Sequence, residues 1–294
     1  MSDYVKELKG FQPRHDFFIG IDSDGCAFDT MEIKQKQCFL PNNIKYFDLE
    51  SIAGYAKDAT EFVNLYSKER GSNRYPAILS VLSWLSKRRE VIELGAKVPD
   101  LKHLRKWVQE ESQLSKSALR LVVEKTGDAE LRNVLAWSEA VDATIETIVK
   151  GVPPFPFVRE SLEKACPKAD IMVVSQTPLD ALEREWAEHG LIKYVRVIAG
   201  QEHGTKTEHI ALAAKGKYPA DKIMMMGDAQ GDYRAAMENG VCFFPIVPGK
   251  EKASWQRFLN ESLDKFLAGT YRGKYESELI IEFDTALPAT PSWG

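Results

Sequence analysis

The sequence predicts an α/β protein: a doubly wound parallel sheet with an α-helical domain inserted after its first strand. Three observations carry this. A short apolar run, Phe17-Phe18-Ile19-Gly20-Ile21, stops abruptly on Asp22-Ser23-Asp24-Gly25. From about residue 31 to 150 the pattern is helical, with almost no strand signal. Beyond that, helical patterns and short apolar runs alternate. The expected division is an α/β core of residues 1–30 plus 151–294 and a helical domain of residues 31–150.

In chain order, residues 1–15 read as a short helix and a loop, with Gly10 and Pro13 as breakers. The run Phe17 to Ile21 has the length and composition of a buried parallel strand. In the insert, Ile52, Tyr55, Ala59, Phe62, Val63 and Tyr66 recur at helical spacing, as do Leu131, Val134, Ser138, Val141, Ile145 and Ile148. Further helices are expected around 76–91, 99–111 and 115–125, with Pro76 in a first turn and Asp128 as an N-cap. Gly151 to Pro156 forms a stiff, extended linker, because each proline restricts its predecessor as well as itself. Helices near 157–166, 179–189, 206–216 and 231–238 then alternate with strands at 170–174, 194–198, 223–226 and 241–244. That alternation implies parallel strands with helices on both faces. A helix at roughly 252–267 follows, and Ser277 to Phe283 is expected as an edge strand.

Composition narrows the function classes. With 294 residues, 44% hydrophobic, 28% charged and a net charge of -4, the chain suits a soluble globular protein. It offers no electrostatic reason to expect a nucleic-acid or acidic-membrane partner. The basic run Lys87-Arg88-Arg89 is expected on a solvated helix face. The amino-terminal residues mix charges among apolar side chains, unlike a signal peptide, and no stretch is long enough to cross a bilayer. Cys26, Cys38, Cys166 and Cys242 are scattered without CxxC spacing, which indicates neither a zinc site nor a disulfide framework. A cytoplasmic protein is the expectation.

Open α/β sheets bind ligands beyond the carboxyl ends of their strands. After the first strand come Asp22 and Asp24; after 170–174, Ser175-Gln176-Thr177-Pro178; after 194–198, a loop reaching Lys206; after 223–226, Gly227-Asp228 and then Asp232. Each has a plain reading. Ser175 can cap a helix, Lys206 can be a solvated lysine, Asp228 a turn residue and Asp232 a first-turn aspartate. Their coincidence at one sheet edge points further. Acids gathered there would repel without a cation, and hard oxygen ligands favour Mg2+. A lysine and a hydroxyl beside them complete a pocket for a multi-oxygen anion such as phosphate.

In these positions the chain resembles the haloacid dehalogenase superfamily of phosphohydrolases, whose four motifs appear in order across residues 16 to 245. Asp22 through Thr30 is similar to the first motif, DxDGTLxDS; Ser175 fits the second, Lys206 the third, and Gly227-Asp228 through Asp232 the fourth, GDxxxD. The helical insert matches the cap that one branch places between the first two motifs. The resemblance implies a Rossmann-like core and a Mg2+-dependent phosphatase acting on a small phosphorylated metabolite. It implies that Asp22 is the nucleophile forming an aspartyl-phosphate and that Asp24 is the acid and base. Ser175 and Lys206 would hold the phosphoryl group, with Gln176 as a further substrate-binding residue. Asp22, Asp228, the carbonyl of Asp24 and, at longer range, Asp232 would hold the metal.

Asp24 favours phosphate esters, since dehalogenases of this family lack that acid and phosphonate hydrolases replace it. Cys26 departs from the usual threonine and reads as a small buried filler. In the insert, Arg70, Asn73 and Arg74 are expected on a flexible turn that grips the substrate. The alternatives are a phosphomutase using the same intermediate and a non-catalytic phospholigand-binding relative. A dinucleotide-dependent oxidoreductase is disfavoured because no GxGxxG follows the first strand.

Overall fold

Strands β1 (Phe17–Ile21), β2 (Ala169–Val174), β3 (Val197–Ala199), β4 (Ile223–Gly227) and β5 (Cys242–Pro245) form a parallel sheet in the order β3-β2-β1-β4-β5 in the computed structural model, which describes residues 3–293. The first strand is therefore central, with its successors leaving to either side. That is the switch point at which such sheets open a crevice. Alternation along the strands gives the sheet two apolar faces. Ile19, Ile21, Ile171, Val173, Met224 and Met226 pack with Leu182, Trp186 and Phe258. Phe18, Met172, Val174, Met225 and Phe243 pack on the other side with Ile210, Ala213 and Ala236. Both faces are covered, so the strands read as near-continuous apolar runs.

The chain divides into two units. One comprises the residues up to Met31 with Gly151–Leu287; the other comprises Glu32–Lys150 with the residues from Pro288 onward. The first contains the sheet. The second is helical, built on Ala53–Leu65, Arg74–Lys87, Lys102–Glu110, Lys116–Thr126 and Ala129–Ile148. Asp128 caps the last of these by accepting the Leu131 N–H at 2.9 Å. Tyr75, Leu82, Leu104 and Trp137 lie in its core. Among the described residues no helix is long and apolar enough to cross a membrane.

Several expectations are corrected. Ser277 to Phe283 is not an edge strand but part of the helix Lys274–Ala286. Its buried residues Glu276, Leu279 and Phe283 follow helical spacing, which outweighs the β-branched character of Ile280 and Ile281. This segment seals the β5 edge another way. The Phe243 N–H donates to Glu276 Oε1 at 2.8 Å, and the Tyr271 hydroxyl donates to the Phe243 carbonyl at 2.6 Å. β3 begins at Val197 rather than residue 194, because Ile192–Tyr194 closes a short 3-10 turn. Arg88 is buried rather than solvated. Its guanidinium lies over the rings of Tyr55 and Trp293, at 4.5 and 4.8 Å, and bonds Asp58 at 2.9 Å. The residues from Pro288 onward, expected with the core, belong to the helical unit, where the Pro288 carbonyl accepts the Lys68 N–H.

One buried charge organises the sheet unit away from the candidate site. Asp170, at the start of β2, accepts the N–H groups of Arg14 and His15 at 2.8 and 2.9 Å and the Tyr218 hydroxyl at 2.8 Å, and pairs with Arg196. Burial alone would raise its pKa. The bonds from Arg14, His15, Tyr218 and Arg196 outweigh that and hold the carboxyl below its ordinary value. The segment entering β1 is thereby fixed to the neighbouring strand.

Candidate active site

Asp22 follows β1 directly, and its N–H continues the ladder by donating to the Met226 carbonyl of β4 at 3.0 Å. One carboxylate oxygen, Oδ1, accepts the Ser23 N–H at 2.8 Å; the other, Oδ2, is 2.8 Å from Lys206 Nζ. The chain then turns sharply. Gly25 adopts a φ of 76° that a side chain would disfavour, and its N–H bonds the Phe28 carbonyl at 2.8 Å. The Ser23 carbonyl collects the N–H groups of Ala27 and Phe28 at 2.9 and 3.1 Å. Asp24 stands beside this turn with both carboxylate oxygens engaged. Thr30 Oγ1 bonds Oδ1, and Thr177 Oγ1 donates to Oδ2 at 2.8 Å.

The other strand ends bring their residues to the same edge. Ile21 is in register with Val173 and with Met226, so Ser175 and Asp228 stand level with Ser23 on either side. Ser175 is buried; its N–H bonds the Ala199 carbonyl at 2.9 Å and its Oγ accepts the Thr177 N–H at 3.2 Å. Gln176 is exposed and reaches the Gly204 carbonyl at 2.8 Å. Lys206 opens the helix Lys206–Ala213, where Thr205 and Glu208 form a capping box. Asp232, in the first turn of the helix Gln230–Asn239, accepts the Ala229 N–H at 3.1 Å and bonds Lys206 Nζ at 2.6 Å. Only glycine fits at position 227, since a Cβ there would lie 2.2 Å from Asp232 Cγ.

One carboxylate oxygen from each of Asp22, Asp228 and Asp232 lies within 4.8 Å of the others, and all three residues are buried. Lys206 bonds two of these acids. Burial would strip charge from Lys206, but its pairing with Asp22 and Asp232 prevails and keeps it firmly protonated. Asp22 is pushed up to about 7, chiefly by burial and further by Asp232 and Asp24, with Lys206 opposing. Burial and Asp228 likewise raise Asp232, against Lys206. Carboxylates so strained toward neutrality are relieved by a nearby cation, and an all-oxygen donor set of this kind fits a small hard divalent ion. The residues present therefore suit Mg2+.

The structure thus gathers Asp22, Asp24, Ser175, Lys206, Asp228 and Asp232 at one sheet edge. Arg70, Asn73 and Arg74 belong to the helical unit, where each has local partners. Arg70 is buried and donates to the Leu65 carbonyl at 2.9 Å. Asn73 caps its helix and bonds the Leu114 carbonyl at 2.8 Å. Arg74 bonds Asp142 at 2.7 Å and Ser138 Oγ at 2.9 Å. These contacts anchor the three side chains within the unit, while Gly71, Ser72 and Asn73 are exposed on the turn itself. Sequence reasoning missed Thr177 and Thr30 as the partners of Asp24. A hydroxyl two residues beyond Ser175, and another closing the first motif, were the available signals.

A five-stranded parallel sheet with β1 at its centre and a helical insertion after β1 has the architecture of the haloacid dehalogenase-like fold. The chain is similar to the structure of a putative phosphoglycolate phosphatase from Lactobacillus delbrueckii subsp. bulgaricus, with a TM-score of 0.50 and 13% identity over 87% of this chain and 98% of that one. It is also similar to a putative β-phosphoglucomutase from Bacteroides vulgatus (TM-score 0.46, 13% identity, 92% of this chain and 96% of that one). A third is a haloacid dehalogenase-like hydrolase from Streptococcus pneumoniae (TM-score 0.44, 16% identity, 83% and 91%). At such identities the likeness is one of fold. No protein-family model matches the sequence, and no curated protein does.

Proposed function

We propose that this protein is a Mg2+-dependent phosphatase that hydrolyses a small phosphorylated metabolite through an aspartyl-phosphate on Asp22. The observation that carries this reading is Lys206 Nζ bonded to both Asp22 and Asp232, beside Asp228, with Asp24 on the same loop as Asp22. A pure binding protein has no use for the paired acids.

Asp22 attacks phosphorus as the bond to the ester oxygen breaks, and Asp24 gives that oxygen its proton. The bonds from Thr30 and Thr177 aim the Asp24 carboxyl and fix which face it presents. In the second half, Asp24 takes a proton from water as the water oxygen bonds to phosphorus, releasing phosphate and restoring Asp22. Lys206 and the Ser175 hydroxyl hold phosphoryl oxygens, and Gln176, exposed next to Ser175, contacts the substrate. Asp22, Asp228, Asp232 and the Asp24 carbonyl would hold Mg2+, which when bound offsets their charge and polarises a phosphoryl oxygen.

The test is phosphate release from an aryl phosphate, with and without Mg2+, beside Asp22→Asn. Mg2+-dependent turnover that Asp22→Asn abolishes is expected. Turnover surviving that substitution would overturn the mechanism.

A further inference from the structure

The residue between the two acids is a serine whose side chain is fully buried and doubly hydrogen-bonded. Ser23 Oγ donates to Glu185 Oε2 at 2.9 Å and accepts the indole N–H of Trp186 at 3.0 Å. Both partners lie on the helix Leu179–Glu188, which begins just after the Ser175-Gln176-Thr177-Pro178 loop. The same stretch of chain thus holds Asp24 through Thr177 and Ser23 through Glu185 and Trp186. Trp186 also packs its buried ring edge-on against Phe28, at 5.7 Å, on the far side of the turn.

We propose that Glu185 and Trp186 are positioning residues for the loop that bears Asp22 and Asp24. Ser23 is the means. Its N–H bonds the Asp22 carboxylate, its carbonyl gathers the amides of Ala27 and Phe28, and its Oγ is anchored to the helix. A shift of Ser23 moves both acids together, one on each side of it in the chain. An apolar residue at 23 would deprive the buried Trp186 N–H of its acceptor and leave rotation of the loop unfixed; the donor and acceptor bonds to two separate groups fix it. Neither Glu185 nor Trp186 is required to touch the substrate.

This inference rests on the phosphatase reading, so wild type beside Asp22→Asn is the control for that reading. Ser23→Ala and Glu185→Ala are expected to lower kcat about tenfold or more per folded molecule, with KM for the aryl phosphate changed less than about twofold. Glu185→Gln, whose amide oxygen still accepts, is expected to retain most of the rate. Trp186→Phe, which keeps a ring but loses the N–H, is expected to fall with Ser23→Ala. Hydrogen exchange provides a readout independent of turnover. Amides across Gly25–Phe28 should exchange about tenfold faster in Ser23→Ala and Glu185→Ala, with those of β2 unchanged. Wild-type rates in both alanine variants, equal losses for Glu185→Gln and Glu185→Ala, or unchanged exchange across the turn would overturn the inference. If wild type shows no turnover, the phosphatase reading falls, and exchange alone decides whether these residues hold the loop.

Discussion

Replacing Asp22 by asparagine should abolish turnover yet stabilise the metal-free protein. Burial, Asp232 and Asp24 raise the Asp22 carboxyl from its ordinary 3.8 to about 7. That rise corresponds to a cost on the order of 4 kcal/mol for ionising it in the folded state. A group whose folded pKa lies above its unfolded value contributes fully below the unfolded one, and its contribution is lost as pH rises through the folded one. The handicap is therefore small near pH 4 and complete above about pH 7. Asparagine keeps the shape and discards the charge. The attraction of Lys206 is already contained in that value, and in the variant Lys206 retains Asp232 at 2.6 Å, so a net gain of about a few kcal/mol remains. Thermal unfolding in excess chelator at pH 8 is expected to show Asp22→Asn melting several degrees above wild type, with the difference closing toward pH 4. Added Mg2+ should raise wild type more than the variant, because it binds the charged cluster in the native state alone. A variant less stable than wild type in chelator at pH 8 would refute the reasoning, since the carboxylate would then be a net source of stability.

Two further substitutions probe the framework. Gly227→Ala places a methyl 2.2 Å from Asp232 Cγ, so Asp232 must leave its bonds to Lys206 and Ala229; phosphatase activity should fall about a hundredfold and stability by roughly 1–3 kcal/mol in urea titration. An alanine variant that keeps full activity would show that Asp232 tolerates displacement. Asp170→Ala strips a fully buried carboxylate from Arg196, Tyr218 and two amides, and should cost roughly 3–5 kcal/mol, with Asp170→Asn costing less. A loss under about 1 kcal/mol would mean that the segment before β1 is held by its apolar contacts alone.

What the sequence made legible is what is local in the chain. A strand that is buried on both faces advertises itself as an uninterrupted apolar run, and the residue after it inherits the sheet edge. Counting from strand ends therefore puts Asp22, Ser175 and Asp228 at one edge from the sequence alone. The helical insert was equally plain, because its apolar residues repeat at helical spacing and Asp128 announces a start. The segment Ser277 to Phe283 misled because its β-branched residues invite a strand, whereas burial of Glu276, Leu279 and Phe283 selects the helical period. Arg88 misled in the opposite sense. A charged run looks solvated until an aromatic from the chain's end, Trp293, lies over it.

The partners that decide how the acids are held belong to another category. Thr177 meets Asp24 across 153 residues of chain, and Glu185 meets Ser23 across 162. Nothing in the spacing of DxD says which hydroxyl or carboxylate will arrive beside it. The sheet supplies the missing step. Because β1 and β2 are paired with Ile21 opposite Val173, whatever follows β2 must pass the loop that follows β1. A polar residue between two acids is then no accident of composition: buried on a loop whose neighbours come from β2, it needs a donor and an acceptor from that direction, and the helix after β2 carries both. In the sequence Ser23 is only the residue between two acids. Its purpose became legible only once the register was known.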